Sequence, residues 1–70
     1  MFWWFERNGR HARIEILQLS NGTYELRFID AEGVEQVEHF DDPRALADRQ
    51  QALQQTLRNH GWTGPHGWVV

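Results

Sequence analysis

Ile14-Glu15-Ile16-Leu17-Gln18-Leu19-Ser20-Asn21-Gly22-Thr23-Tyr24-Glu25-Leu26-Arg27-Phe28 reads as two strands joined by a tight turn. Apolar and polar residues alternate on both sides of Asn21-Gly22, and that dipeptide between alternating runs signals a hairpin. The loop length then decides the buried face, because a one-residue slip moves every side chain to the other side of the sheet. A two-residue loop sets Leu17 opposite Leu26 and Ile14 opposite Ile29, dividing the apolar residues between faces. A three-residue loop, Ser20-Asn21-Gly22 with Gly22 left-handed, sets Ile16 opposite Leu26 and Ile14 opposite Phe28. Ile14, Ile16, Tyr24, Leu26 and Phe28 then share one face, and this is the register expected.

Working outward, Asn8-Gly9 and Ala31-Glu32-Gly33 repeat the turn signal. The expected strands lie near 2–7, 10–19, 23–30 and 34–40, antiparallel neighbours joined by short connections. In the first, Phe2-Trp3-Trp4-Phe5 must send two rings to each face. A two-residue Asn8-Gly9 turn puts Trp3 and Phe5 on the core face but sets Arg7 against Arg10. A three-residue Arg7-Asn8-Gly9 turn puts Phe2 and Trp4 there and sets Glu6 against Arg10. Cross-strand charge pairs contribute ~0.2–1 kcal/mol, which favours the second register and leaves the first open. Either register places Arg13 across from a tryptophan on the face away from the core. Val34, Val37 and Phe40 recur every three residues, which calls for a bulge or for an edge strand with little to bury.

Asp41-Asp42-Pro43 reads as a helix start, with Asp42 as cap and Pro43 at the first helical position. The helix is expected from Pro43 to about His60, stopping at Gly61, with Trp62 folded against Leu57. Leu46, Leu53 and Leu57 form its apolar stripe, helped by Ala45 and Ala52 and interrupted by Gln50. The expected fold is therefore α+β: a four-stranded antiparallel meander in the order 1-2-3-4, followed by one C-terminal helix packed on one sheet face. Residues 1–62 make a single ββββα domain. Residues 63–70 read as an irregular tail, whose Trp68 can fold back over the sheet.

Seventy residues and a 40% hydrophobic fraction fit one small soluble domain. Without cysteine, disulfides, thiolate zinc sites and thiol nucleophiles are excluded. No apolar run approaches the ~20 residues of a membrane span, and no basic-then-apolar signal opens the chain, which points to the cytoplasm. The formal charge of −3 comes with seven arginines and no lysine. Residues 30–48 hold seven acids, Asp30, Glu32, Glu35, Glu38, Asp41, Asp42 and Asp48, against Arg44 alone. An acidic chain is a poor match for a phosphate backbone. His11, His39, His60 and His66 show no metal-ligand spacing, and neither Glu35/Glu38 nor Asp41/Asp42 implies a cleft for acid–base work. No catalytic residue, metal or cofactor is expected.

One helix covers one face, so the other carries the candidate interaction surface. Its expected members are Arg13, Leu17, Leu19, Arg27 and Ile29, with two of Phe2, Trp3, Trp4 and Phe5. Glu15 and Glu25 lie among them. Such an apolar patch exceeds scattered exposure and implies a partner, either a second copy in a homodimer or another protein, unless the Trp68 segment covers it.

The line Phe5-Glu6-Arg7-Asn8-Gly9-Arg10, Tyr24-Glu25-Leu26, Asp30-Ala31-Glu32-Gly33, Phe40-Asp41-Asp42 and Gly61-Trp62 resembles a group of short uncharacterised bacterial proteins. That resemblance spans most of the chain and implies no activity. In architecture alone, four antiparallel strands and a helix are similar to single-strand nucleic-acid binders of the PC4, PUR and Whirly type. There, strand aromatics stack bases and basic residues hold phosphates, roles that the exposed aromatics, Arg13 and Arg27 would take here. The leading expectation is a non-catalytic, self-associating interaction module; the alternative is single-stranded nucleic-acid binding.

Overall fold

The computed structural model describes residues 2–67. The chain runs β1 (Phe2–Arg7), β2 (Arg10–Gln18), β3 (Tyr24–Ile29), β4 (Glu35–Phe40), α1 (Pro43–Asn59) and β5 (Thr63–His66). All five strands form one antiparallel sheet in the order β4-β3-β2-β1-β5. The class is α+β, as expected, and the meander and helix are both present. The difference is β5. Thr63–His66, expected to be irregular, adds an edge strand beside β1, so β1 lies inside the sheet.

The middle hairpin takes the three-residue loop. Ile14 pairs with Phe28 and Ile16 with Leu26, Leu19 N–H donates to Thr23 O at 2.8 Å, and Gly22 has φ of 85°. The turn at 31–33 repeats this geometry, with Asp30 N–H donating to Val34 O at 3.0 Å and Gly33 at φ of 84°.

The first hairpin takes the two-residue turn, against the charge argument. Asn8 and Gly9 both have positive φ, 53° and 78°, which matches a tight turn to the strand twist. Arg7 therefore pairs with Arg10, Trp3 with Ile14 and Phe5 with Ala12. The like charges separate because each has a better partner far along the chain. Arg7 Nη1 donates to His60 O at 2.6 Å, at the negative end of α1, and its guanidinium lies 5.1 Å from the Trp62 ring centroid. Arg10 pairs with Glu32 at 2.8 Å. Trp3 and Phe5, not Phe2 and Trp4, thus face the core.

That core joins Phe5, Ala12, Ile14 and Leu26 to Leu46, Leu53 and Leu57 of α1, with Trp3, Ile16, Tyr24, Phe28, Phe40 and Trp62 packed around them. Ala45 and Ala52 are exposed, contrary to expectation. Arg49 and Gln50 are half-buried instead, and Arg49 Nε donates to Glu38 at 3.0 Å, tying α1 to β4. β4 is an edge strand in regular register, Tyr24 opposite Phe40 and Arg27 opposite Val37, so the edge explanation accounts for Val37, and Val34 lies in the turn before the strand.

The helix starts and stops where its residues dictate. Asp42 Oδ1 accepts from Arg44 N at 3.0 Å and Pro43 opens the first turn. Trp62 N–H donates to Leu57 O and Gly61 N–H to Arg58 O, both at 3.1 Å, with Gly61 at φ of 85°. This glycine-terminated close turns the chain back towards β1. The 17 residues of α1 extend about 25 Å, against about 19 Å for the four spacings of a five-stranded sheet. One helix can therefore carry the chain from the β4 edge to the opposite edge.

There, close approach requires glycine. A Cβ at Gly64 would lie 2.9 Å from Phe5 Cδ2 and 3.1 Å from Trp4 O, and one at Gly67 would lie 3.0 Å from Trp4 Cζ3. Gly64 has φ of 133°, which side chains rarely adopt. Gly64→Ala is expected to lose about 1–3 kcal/mol of stability through overpacking, read by denaturant unfolding with loss of amide protection in β5. An unchanged midpoint would show that β5 does not press on Phe5.

Candidate functional site

Burial of Ile14 and Leu26 against α1 fixes the alternate residues of β2 and β3 on the other side of the sheet. The strand registers arrange that outer face in rows. One row runs Phe2, Glu15, Arg27, Val37 from β1 to β4. Beside it runs Trp4, Arg13, Ile29, Glu35, with His66 beyond Trp4 on β5. On the other side lie Leu17, Glu25 and His39.

Aromatic groups hold the β1 side. The Phe2 and Trp4 ring centroids are 6.3 Å apart at 34°, and Trp4 and His66 are 5.9 Å apart. Phe2, Trp4, His11, Ala12, Arg13 and Ile29 border an open depression of about 470 Å³.

Ion pairs hold the middle. Arg13 Nε meets Glu15 at 2.9 Å, and Arg27 lies between Glu25 at 2.7 Å and Glu35 at 3.5 Å. Glu25 also meets His39 Nε2 at 3.2 Å. The hydrogen bond from Arg27 holds the Glu25 carboxyl below its ordinary value of 4.5, helped by His39 and opposed by desolvation. Glu25 in turn raises Arg27 above its ordinary value.

Of the residues proposed from sequence, Phe2, Trp4, Arg13, Leu17, Arg27 and Ile29 do come together on this face. Trp3 and Phe5 do not, because the two-residue turn points them inward. Leu19 sits past the end of β2, half-buried, beside a second depression with Thr23, His39 and Phe40. The placement expected for Trp68 lies outside the described residues. Sequence reasoning missed Val37, His39 and His66. The repeated Val34/Val37/Phe40 spacing hid the alternation of β4. Applying the three-residue turn of the middle hairpin to Ala31-Glu32-Gly33 would have set Val37 opposite Arg27.

Among the described residues, no three His, Asp or Glu side chains group as a metal site, and the core holds no buried polar residue. No helix among them is long and apolar enough to cross a membrane. The face itself leaves Leu17 on the central strand 43% exposed and Val37 on the edge strand 44% exposed, beside paired charges of both signs.

The Glu25 cluster makes a pH prediction. A carboxyl whose folded pKa is lowered stabilises the fold above its unfolded value, and that stability is lost as pH falls through the folded pKa. The Glu25 carboxyl resonance is expected to titrate below 4.5, and Glu25→Gln to flatten the acid limb of the stability curve below that pH. Titration at or above 4.5 would show that Arg27 does not hold the carboxylate.

Compared with known proteins, the chain matches no family model, no curated protein and no solved structure.

Proposed function

We propose that the protein is a non-catalytic interaction module that self-associates through the outer face of its sheet. One observation carries this reading. Leu17 and Val37 stay more than 40% exposed on a face that α1 does not cover, flanking paired charges rather than a charged field. A second copy suits that surface because the charges of one chain supply complements for those of the other, and a two-fold interface needs only one surface design. The rows span about 14 Å along the strands, from Arg13 to Leu17, and about 19 Å across the sheet from β4 to β5. That footprint is below the ~800 Å² per partner of a standard interface, so association is weak and concentration-dependent.

Sedimentation over a concentration series tests this. A monomer–dimer equilibrium is expected, shifted towards monomer about tenfold or more by Val37→Asp, which buries an unpaired charge. A monomer at about millimolar concentration, with Trp68 contacting Leu17 or Leu19 in NOE spectra, would overturn the reading in favour of cover by the chain itself.

A second reading, single-stranded nucleic-acid binding, is favoured by one feature: Phe2 and Trp4 stand beside Arg13 around an open depression. Stacking a base on each ring contributes ~1–3 kcal/mol. Phosphate is poorly served, however. Arg13 is engaged by Glu15, and Arg27 by Glu25 and Glu35, so few counterions would be released on binding. A labelled single-stranded oligonucleotide is expected not to bind at about 150 mM salt. Micromolar or tighter binding, lost on Arg13→Glu, would promote this reading over self-association.

A further inference from the structure

The two edges of the sheet are unlike. β5 is four residues long, holds Gly64 and Pro65, and shifts register against β1. Each of these features blunts an edge against pairing with another chain. β4, the other edge, is six residues in unbroken register with β3 and holds neither proline nor lysine. Its acids are matched within the chain, Glu35 by Arg27 at 3.5 Å and Glu38 by Arg49 at 3.0 Å. Val34, just ahead of the strand, is 55% exposed and Val37 44%.

The backbone of this edge is open at alternate residues. Asp30 N–H donates to Val34 O at 3.0 Å, which makes 30 and 34 a hydrogen-bonded pair. Such pairs alternate along an antiparallel ladder, so Gln36, Glu38 and Phe40 direct their N–H and C=O groups to β3. Glu35, Val37 and His39 direct theirs outward. We infer that β4 pairs antiparallel with β4 of a second copy, about a two-fold axis normal to the sheet at Val37. This contact is separate from the outer-face one and goes beyond it.

The axis sets Val37 opposite Val37 of the second copy, and to either side Gln36 opposite Glu38, Glu35 opposite His39 and Val34 opposite Phe40. Apolar groups meet at the centre and at both ends, an amide meets a carboxylate, and an imidazole meets a carboxylate. Val37 with Val37, and Glu35 with His39, are the pairs whose backbones face each other, so each exchanges both N–H···O bonds. His39 then lies between Glu25 of its own chain, 3.2 Å away, and Glu35 of the second copy. On the inner face the two Glu38 side chains stand diagonally across the axis, each held by its own Arg49. Pairing ends where the chain turns away, at the 31–33 turn and at the Asp42 cap. The recurrence of Val34, Val37 and Phe40 every three residues, which suits no single flat strand, is symmetric about Val37 and meets its own mirror here.

Neighbouring registers that keep the open groups facing each other fit less well. Centring on Glu38 sets Glu38 against Glu38, Val37 against His39 and Gln36 against Phe40. Centring on Gln36 sets Val37 against Glu35 and Val34 against Glu38.

Residue-resolved amide hydrogen exchange tests the contact. As the wild type is concentrated from about micromolar to about millimolar, the amides of Glu35, Val37 and His39 are expected to gain about tenfold or more in protection. Those of Gln36, Glu38 and Phe40 are expected to be protected by β3 at every concentration. Mixed-label samples are expected to show NOEs between the Cα protons of Gln36 and Glu38 of different copies, a non-hydrogen-bonded pair with Cα atoms about 4.5 Å apart. Val37→Pro removes an N–H that β3 does not use, a change an edge strand tolerates. It is expected to abolish the added protection of Glu35 and His39, with amide spectra checking the fold. Leu17→Asp disturbs the outer face alone, and the protection is expected to survive it. A protein that dimerises while the Glu35, Val37 and His39 amides exchange equally fast at every concentration would overturn edge pairing and leave the outer-face reading standing. NOEs from Gln36 to Phe40 of the second copy, in place of Glu38, would overturn this register. A wild type that stays monomeric throughout would overturn this contact together with the outer-face one.

Discussion

One helix has to cover a sheet of five strands, and it covers only one face. Most features of the structure follow from that shortage. Phe5, Ile14 and Leu26 are fully buried because they point at α1, and their neighbours along the same strands must point away from it. In a larger protein a second layer would take up those neighbours. Here the chain has about 25 Å of helix and spends it crossing from one edge of the sheet to the other.

How much of this was legible depends on where the deciding partner lies in the sequence. The middle hairpin was readable because the alternation around Ser20-Asn21-Gly22 contains both its register and its buried face. The first hairpin was not, because the two arginines that argue against its turn are satisfied by His60 and Glu32, 53 and 22 residues away. A local charge rule worth ~0.2–1 kcal/mol gave way to a backbone requirement, positive φ at Asn8 and Gly9, together with those distant contacts. The candidate face inherited the same ambiguity. Arg13, Arg27, Leu17 and Ile29 were legible from the middle hairpin, whereas the choice between Phe2/Trp4 and Trp3/Phe5 awaited the first turn.

β5 was illegible for a different reason. Gly64, Pro65 and Gly67 carry the composition of a loop, and strand propensity is low for both residue types. Their place here follows from what lies beneath. β1 presents Phe5 on one side and Trp4 on the other, and a neighbouring strand can approach only where it has no Cβ to collide with them. Propensity measures how a side chain fits a pleated surface, and at Gly64 and Gly67 a side chain would press on Phe5 and Trp4. The added strand also encloses β1, whose aromatic residues would otherwise line a bare sheet edge.

The charges on the outer face narrow what can cover it. Leu17 and Val37 alone would attract any apolar surface, yet Glu25 and Arg27 lie between them on β3, and Glu15 and Arg13 follow Leu17 along β2. A purely apolar partner would strip water from those groups and return no hydrogen bonds, a penalty that rises with burial. A polyanion would meet the acids before it could reach arginines already engaged by them. A partner that fits must bring apolar groups to Leu17 and Val37 and opposite charges to the groups beside them. The charges therefore act less as a source of affinity than as a filter on partners.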